Sequence, residues 1–242
     1  MISVVIPAYN EEKRIGKTLT SLKEMLPHSE IIVVFDGKDN TPYVARKYGV
    51  KVLEYGNRLG KGRALKEGIM SSSMEKILLI DADMPVKGED LKRLLLTDAD
   101  LVLPRRKIVG MSKKRRLLHS GFILLTKLLF PSLRDISDFQ SGVKLLNREK
   151  AISVLDELII NDLVFDVNLI YAFRRRGYKI KEVEISYIVD ESDSKISRSL
   201  IKVIILMFLS LVKLRVYYSP LKRVLYTRWF LKTQDFLLRK LR

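Results

Sequence analysis

The residues whose types and spacing most directly suggest chemistry are two aspartates, Asp81 and Asp83, separated by a single alanine. They follow an apolar run at residues 77–80 that predicts a buried strand. Two carboxylates held this close repel each other unless a cation joins them. Mg²⁺ or Mn²⁺ fits because carboxylate oxygens and substrate phosphates form the usual ligand shell of these ions. The pair therefore predicts a divalent metal that is bound together with a phosphorylated substrate.

Over the first hundred residues, short apolar runs rich in β-branched residues alternate with helical patterns. The runs predict strands at residues 2–6, 31–35, 50–55, 77–80 and 100–103. Apolar residues at helical spacing predict helices over 11–26 and 62–70. Continuously apolar strands separated by helices are typical of a mostly parallel, Rossmann-like α/β sheet that is covered by helices on both faces.

Polar residues follow three of these strands directly. Tyr9 and Glu11 come after the first strand, Asp36 ends the second, and Asp81 ends the fourth. Ligands of such sheets bind outside the carboxyl ends of the strands, so we expect these side chains to surround one cleft.

The glycine-rich segment 56–62 has some features of a phosphate-binding loop. Its spacing is one residue short, however, and Gly62 stands where that motif needs a Ser or Thr for magnesium. The segment still predicts a glycine-rich turn at the start of a helix, where free N–H groups and Lys61 can lie near a nucleotide. His28 and His119 have no partner at metal-ligand spacing, and we interpret both as non-catalytic.

The chain has 242 residues, no cysteine and a formal net charge of +17. The absence of cysteine excludes disulfides and cysteine-rich metal sites. The positive charge favours polyanionic partners, and it is concentrated in residues 105–116, with seven basic and no acidic side chains, and in residues 215–242, with eight basic residues against Asp235. The alternative for each cluster is a solvated basic surface.

The second half predicts helices at 117–130 and 161–176 and strands at 141–146 and 179–188. Ten residues without charge, 203–212, follow between two lysines. This segment is too short to cross a bilayer, which needs about 20 apolar residues. Together with the basic and aromatic residues after it, the segment predicts interfacial helices on an anionic membrane surface. The alternative is a core helix followed by a basic surface helix.

Several segments resemble a known family. The run from Val4 to Glu12, Val-Val-Ile-Pro-Ala-Tyr-Asn-Glu-Glu, is similar to the opening motif of family-two glycosyltransferases of the GT-A fold. Later segments, in order over about residues 2–197, resemble the dolichyl-phosphate glucosyltransferases and the related dolichyl-phosphate mannose synthases. They are Asn57-x-x-Gly60-Lys61-Gly62-x-Ala64, Asp81-Ala82-Asp83, Asp138-Phe139-Gln140-Ser141-Gly142-Val143-Lys144, Phe165-Asp166-Val167 and Asp193-Ser194-Lys195.

The resemblance implies roles for individual residues. On the donor side, the residues that line the nucleotide base and ribose would be Pro7, Tyr9, Glu11 and Asp36. Asp81 and Asp83 would hold the metal and the sugar diphosphate, and Lys195 would reach the diphosphate from a loop. On the acceptor side, Arg105 matches the arginine that meets the acceptor phosphate and Arg115 falls near a second one, while Asp166 and Asp138 are candidates for orienting the substrate.

Two positions depart from the mannose synthase pattern. Pro85 stands where those enzymes often have a glutamine that ligates the metal, and Val189 stands where they have an arginine. Both departures, and the 138–144 segment, favour the glucosyl branch. We therefore expect UDP-glucose as the donor, with GDP-mannose next, and a polyprenyl (dolichyl) phosphate as the acceptor.

The resemblance also implies a GT-A nucleotide-diphospho-sugar transferase domain over 1–198, and the composition of residues 199–242 predicts basic amphipathic, membrane-associating helices. The sequence opens on a strand pattern without a basic leader, so we expect a peripheral protein on the cytoplasmic face of a membrane. Two other enzyme classes are weighed: transfer to a hydroxyl acceptor of a glycan or glycolipid, and a sugar nucleotidyltransferase, which should open with a Gly-x-Gly-x-Arg turn. Nucleic acid is not expected as a partner, because no RNA-binding aromatic motif is present.

Overall fold

The protein is described by a computed structural model that covers residues 1–83, 88–109, 113–188 and 200–227. Within these residues, seven strands form one sheet. They are β1 (Ile2–Ala8), β2 (Glu30–Phe35), β3 (Lys51–Glu54), β4 (Lys76–Leu79), β5 (Leu101–Val109), β6 (Lys144–Asn147) and β7 (Ile180–Ile188). Their order across the sheet is β3-β2-β1-β4-β6-β5-β7.

The sheet is mostly parallel, as the sequence predicts. Strand β6 is inserted between β4 and β5 and runs antiparallel to both. In this register Lys144, at the start of β6, lies opposite Leu79, at the end of β4. The segment that precedes β6 is thereby brought to the carboxyl end of β4, where Asp81 and Asp83 follow.

Helices cover both faces of the sheet in the described part of the chain. They are α1 (Glu12–Met25), α2 (Thr41–Arg46), α3 (Lys61–Ser71), α4 (Gly88–Leu96), α5 (Lys113–Leu129), α6 (Arg148–Ser153), α7 (Phe165–Arg175) and α8 (Leu200–Tyr217). Side chains alternate along β1, so that Val5 packs on the face of α3 and α7, while Val4 and Ile6 pack on the face of α1.

Helix α3 lies unusually close to the sheet. A Cβ atom added to Gly68 would be 2.1 Å from Cγ1 of Val5, which is far inside van der Waals contact. The glycine therefore allows the backbone of α3 to rest on β1. This contact fixes the helix that carries Lys61 at its N-terminal end.

Several predicted elements have different bounds in the structure: α5 begins at Lys113 instead of 117, β6 begins at Lys144 instead of 141, and β5 and α7 also differ. Strand β5 extends to Val109, beyond the predicted end at residue 103, because β7 pairs with it from Leu101↔Ile180 to Val109↔Ile188. Helix α7 begins at Phe165, later than the predicted 161, because Asp162 forms a turn in front of it and accepts a hydrogen bond from the Val164 N–H at 2.8 Å. A local pattern does not reveal either effect.

Helix α8 has one buried and one exposed side. Leu211 and Leu214 are fully buried in the same core cluster as α3 and α7, whereas Ile205 and Phe208 remain more than two-fifths exposed. A 3₁₀ segment, Pro220–Tyr226, follows. Among the described residues, no helix combines the length and the apolar character that crossing a membrane requires. The helix thus combines a side that belongs to the core with an exposed apolar side, and the interfacial interpretation stays a prediction.

Candidate active site

The carboxylate of Asp81 lies at the end of β4 against the backbone of Gly142. A Cβ atom at position 142 would be 2.0 Å from Oδ2 of Asp81, so any larger residue would occupy the space of the carboxylate. The antiparallel course of β6 delivers Gly142 to this place, two residues before Lys144. In the sequence, Gly142 is notable only as part of the segment that carries the family resemblance. Its close approach to Asp81 becomes visible only in the fold.

Lys61 is the cation next to Asp81. Its Nζ lies 2.9 Å from Oδ1 and 3.2 Å from Oδ2 of Asp81, and 3.8 Å from Oδ2 of Asp166. Burial by itself would lower the pKa of Lys61, but the negative charges of Asp81 and Asp166 reverse this and raise the pKa above its ordinary value. Lys61 is thus a fully charged ammonium held between two carboxylates.

Asp36 fixes the loop that leads to Lys61. Its Oδ2 accepts hydrogen bonds from the N–H groups of Leu59 and Gly60, both at 2.8 Å. Gly60 has φ +84°, a left-handed conformation that favours glycine, and α3 begins directly after it. The buried carboxylate of Asp36 therefore organises the turn before α3, beside the nucleotide role that the family resemblance implies for it.

Asp166 lies in the first turn of α7 and is buried between two lysines. Lys144, which is also buried, places its Nζ 2.8 Å from Oδ1 of Asp166 and donates a hydrogen bond to the Ser141 carbonyl. Burial lowers the pKa of Lys144, and Asp166 opposes this shift. Lys144 is not among the predicted site residues, although a lysine inside a predicted buried strand needs a charged partner and therefore indicates a buried ion pair.

Asp83 is the less protected carboxylate of the pair. The loop that carries it is anchored to α1, because the Thr18 hydroxyl donates a hydrogen bond of 2.5 Å to the Ala82 carbonyl. Partial burial and then the nearby charge of Asp81 raise the pKa of Asp83, while Arg14 opposes the shift. Arg14 is itself paired with Glu11 at 2.6 Å. The negative charges near Asp83 are therefore those of Asp81 and Glu11, and both raise its pKa.

Pro7, Tyr9 and Glu11, which are predicted to line the nucleotide, lie at the carboxyl end of β1 and in the turn after it. Pro7 is within that strand, and the ring of Tyr9 lies 4.1 Å from the guanidinium carbon of Arg58. Asn10 adopts a positive φ of 56° and accepts a hydrogen bond from the Lys38 N–H at 2.8 Å. The turn after β1 and the turn after β2 are therefore held together at the carboxyl edge of the sheet.

Asp138 forms a separate buried ion pair. Arg106 donates two hydrogen bonds to its carboxylate, at 2.5 and 2.9 Å, and Nε2 of His119 lies 3.7 Å away. Despite burial, the neighbouring His119 and the hydrogen bonds and positive charge of Arg106 hold the pKa of Asp138 well below its usual range. Arg105, the arginine that the sequence matched to an acceptor site, points to the exposed side of β5.

Some predicted site residues cannot be placed. Arg115 lies in α5, but its side chain is outside the described part of the chain, and Lys195, Pro85 and Val189 lie outside the described residues. The structure therefore brings together Asp81, Asp83, Lys61 and Asp166, with Asp36 and the turn after β1 at the same edge of the sheet.

The arrangement around Asp81 fits a divalent cation. The carboxylate is held in a space that only a glycine leaves open, and an ammonium group already stands beside it as a cation. Within residues 1–83, 88–109, 113–188 and 200–227, no group of three or more Asp, Glu, His or Cys side chains could hold a metal. A cation here would therefore rest on the Asp81 and Asp83 carboxylates and take further ligands from a phosphorylated substrate.

Comparison with known proteins decides the family. The profile of "Glycosyl transferase family 2" matches residues 3–155, which include β1, the aspartate pair and β6. The chain belongs to this family. Among its family-two relatives are the dolichyl-phosphate beta-glucosyltransferases of Mus musculus, 35% identical, and Homo sapiens, 34% identical, and both alignments cover 77% of this chain and 67% of the relative.

A solved structure supports the GT-A fold of this family-two chain. Glucosyl-3-phosphoglycerate synthase from Mycobacterium tuberculosis matches with a TM-score of 0.68 and 24% identity, over 87% of this chain and 79% of that one. That protein was crystallised with Mn²⁺, uridine diphosphate and glucosyl-3-phosphoglycerate. At this identity the likeness shows the fold, and the predicted GT-A class is confirmed.

The raised pKa of Asp83 predicts a trade-off between stability and function. A carboxyl group whose pKa rises on folding lowers stability as the pH climbs above its unfolded value of about 3.8. We expect Asp83→Asn to stabilise the metal-free protein at pH 7, by less than about 1 kcal/mol because solvent screens this exposed side chain. Urea unfolding measured from pH 7 down to pH 4 should show the gain shrinking with pH.

The control for this measurement is Asp98→Asn. A hydrogen bond and the charge of Lys179 lower the pKa of Asp98, so its replacement should give no gain at pH 7. A loss of stability in Asp83→Asn at pH 7 would contradict the electrostatic description of the aspartate pair.

Proposed function

We propose that this chain transfers glucose from UDP-glucose to a polyprenyl (dolichyl) phosphate, with inversion at the anomeric carbon. The observation that carries the chemistry is the Asp81 carboxylate beside Asp83 and Lys61, at the carboxyl end of β4. The choice of substrates is supported by the relation to proteins named dolichyl-phosphate beta-glucosyltransferase.

The donor would lie along the carboxyl ends of β1, β2 and β4. We assign Pro7, Tyr9, Glu11 and Asp36 to the base and ribose, and Asp81 and Asp83 to Mg²⁺ or Mn²⁺ and the diphosphate. When bound, the cation supplies Lewis-acid stabilisation of the charge that develops on the leaving uridine diphosphate. Lys61 is long enough to contact the same phosphates, as its present position beside Asp81 indicates.

The state of Asp166 supports a phosphate acceptor. A phosphate monoester, with a second pKa of about 6, is largely dianionic at neutral pH and can attack without a general base. Asp166 is ion-paired with Lys144 at 2.8 Å and lies 3.8 Å from Lys61, so its carboxylate is held by two cations. A hydroxyl acceptor would need a carboxylate that is free to take a proton. We assign Asp166 an orienting role.

The acceptor phosphate would be met by the basic residues around the start of α5. Arg105 is exposed on β5, and Lys113 and Arg116 are exposed on the first turn of α5. We keep Arg105 and Arg115 as candidates for this contact, and Lys195 as a candidate for contact with the donor diphosphate. Asp138 is assigned a positioning role, because its bond to Arg106 fixes the side of β5 opposite Arg105.

Donor specificity is tested by thermal shift, because a ligand that binds only the native state raises its unfolding temperature. We expect UDP-glucose with Mn²⁺ to stabilise the protein more than GDP-mannose or UDP-N-acetylglucosamine does.

The metal assignment is tested by Asp83→Asn. This variant should remain folded by circular dichroism, lose the Mn²⁺-dependent shift in unfolding temperature and lose transfer by about 100-fold or more. A folded Asp83→Asn variant with near-normal transfer would contradict the metal assignment.

A lipid-linked acceptor requires contact with a membrane, and one face of the molecule is suited to it. The exposed side of α8 is apolar over about two and a half turns, and α5, which contacts α8, also carries exposed leucines; the residues are Ile204, Ile205, Phe208, Leu209 and Val212 on α8, and Leu117, Leu124 and Leu128 on α5. Exposed Lys202 and Arg215 flank the apolar residues of α8. Apolar side chains framed by basic ones are typical of helices that lie in an anionic headgroup region.

Membrane contact is tested with two acidic substitutions on this face. We expect Phe208→Glu with Val212→Glu to reduce sedimentation with phosphatidylserine-containing vesicles by about tenfold or more, because charges would replace apolar side chains that enter the lipid. Tyr43→Glu, which changes an aromatic residue that is 63% exposed on α2, is the matched control and should bind like the unchanged protein.

Substitution is preferable to truncation before residue 219, because truncation would remove Tyr218, whose ring contacts that of Tyr171 edge to face with centroids 4.9 Å apart. Undiminished vesicle binding by the doubly substituted protein would show that α8 is not the membrane contact.

A further inference from the structure

Four charged side chains form one connected cluster beyond the carboxyl end of β4. Lys61 contacts Asp81 and approaches Asp166, and Lys144 contacts Asp166 from the other side. The cluster contains two positive and two negative charges, and Asp83, whose charge also acts on Lys61, adds one more negative charge. A divalent cation that arrives alone at Asp81 would meet the ammonium group of Lys61 already in place, and it would leave the site with an excess of positive charge.

We propose that Lys61 is the resident counter-ion of Asp81 and makes the binding of a divalent cation conditional on a diphosphate. This inference rests on the proposed function, because it assumes that Asp81 and Asp83 hold the metal. When the metal binds Asp81, Lys61 loses its anionic partner, and a diphosphate supplies a new one. The cation and the donor would then bind strongly only together.

The backbone under Lys61 is fixed, so the change is confined to its side chain. Asp36 holds the loop at Leu59 and Gly60, and the Gly62 N–H donates a hydrogen bond to the Asn161 carbonyl at 3.1 Å. A Cβ atom at Gly62 would lie 2.4 Å from the Ile160 carbonyl oxygen, so the start of α3 is packed tightly against that segment. The lysine side chain alone can exchange partners.

Asp166 provides the second position for Lys61. Its Oδ2 is 3.8 Å from Nζ, which is within reach of a small side-chain rotation, and Lys144 prevents the carboxylate from following. When a cation occupies Asp81, the ammonium group can remain paired with Asp166 and face the incoming phosphates. Lys61 is thus placed to serve Asp81 in the free protein and the diphosphate in the complex.

The coupling must be reciprocal, because linked equilibria share one coupling free energy. If uridine diphosphate tightens Mn²⁺ binding, Mn²⁺ tightens uridine diphosphate binding by the same factor. Removal of Lys61 should reduce this factor from both directions: the metal gains affinity in the absence of nucleotide, and the nucleotide loses a cationic partner.

The test is a Mn²⁺ titration followed by electron paramagnetic resonance of the free ion, with and without uridine diphosphate. In the unchanged protein we expect nucleotide to tighten Mn²⁺ binding by about tenfold or more, within the usual range of coupling between sites. Lys61→Met should bind Mn²⁺ about tenfold more tightly than the unchanged protein without nucleotide, and should gain little when nucleotide is added. Lys61→Arg should keep the dependence on nucleotide.

Arg63→Met is the matched control. Arg63 lies on the same helix, its side chain is 57% exposed, and it pairs with Glu67 at 3.7 Å. It should leave Mn²⁺ binding unchanged, which separates the effect of Lys61 from a general loss of positive charge. Circular dichroism verifies that each variant is folded.

The outcomes separate the two proposals. If Lys61→Met binds Mn²⁺ no more tightly than the unchanged protein, while nucleotide still tightens binding to both, the role of Lys61 is wrong and the metal site stands. If neither protein binds Mn²⁺ even with uridine diphosphate, the metal site is wrong, and the inference is overturned with it.

Discussion

The structure depends on the placement of one negative charge, the carboxylate of Asp81, at the end of a buried strand. This carboxylate is only partly buried, and a nearby cation stabilises its charge; Lys61 provides one at 2.9 Å. The carboxylate also needs space, which Gly142 provides because it has no Cβ. The antiparallel insertion of β6, the close packing of α3 on β1 and the turn held by Asp36 all serve these two requirements.

The same electrostatic reasoning extends to Asp166, which we assign to the acceptor side. Lys144 is buried, and a buried lysine is costly unless it is paired and hydrogen-bonded. Asp166 and the Ser141 carbonyl meet this need, and in return Lys144 fixes Asp166 at the start of α7. A carboxylate that is paired in this way can orient a substrate and balance charge. Such a role fits an acceptor that is already an anion. The internal ion pairs are thereby linked to the kind of acceptor that we propose for this family-two enzyme.

The sequence was sufficient to predict the main strands, because buried parallel strands are continuously apolar. It was also sufficient to locate the aspartate pair after a strand and to indicate the family, because the motifs occur in order. It could not show that β6 returns antiparallel beside β4, which makes Gly142 and Lys144 neighbours of Asp81 and Asp166. Long-range register decides those contacts. Alternation along β5 likewise sends Arg106 to Asp138 and leaves Arg105 exposed. A motif alignment alone does not reveal which of two adjacent arginines faces the interior.

The central claim is that an already ionised phosphate, and not a hydroxyl group, attacks the sugar. It is tested most directly by incubating the purified protein with radiolabelled UDP-glucose, Mn²⁺ and a matched pair of acceptors, a polyprenyl phosphate and the corresponding polyprenol. The account predicts alkali-stable, acid-labile label in the lipid fraction with the phosphate and none above background with the alcohol. Equal or preferential transfer to the polyprenol, or to an added glycan hydroxyl, would contradict it.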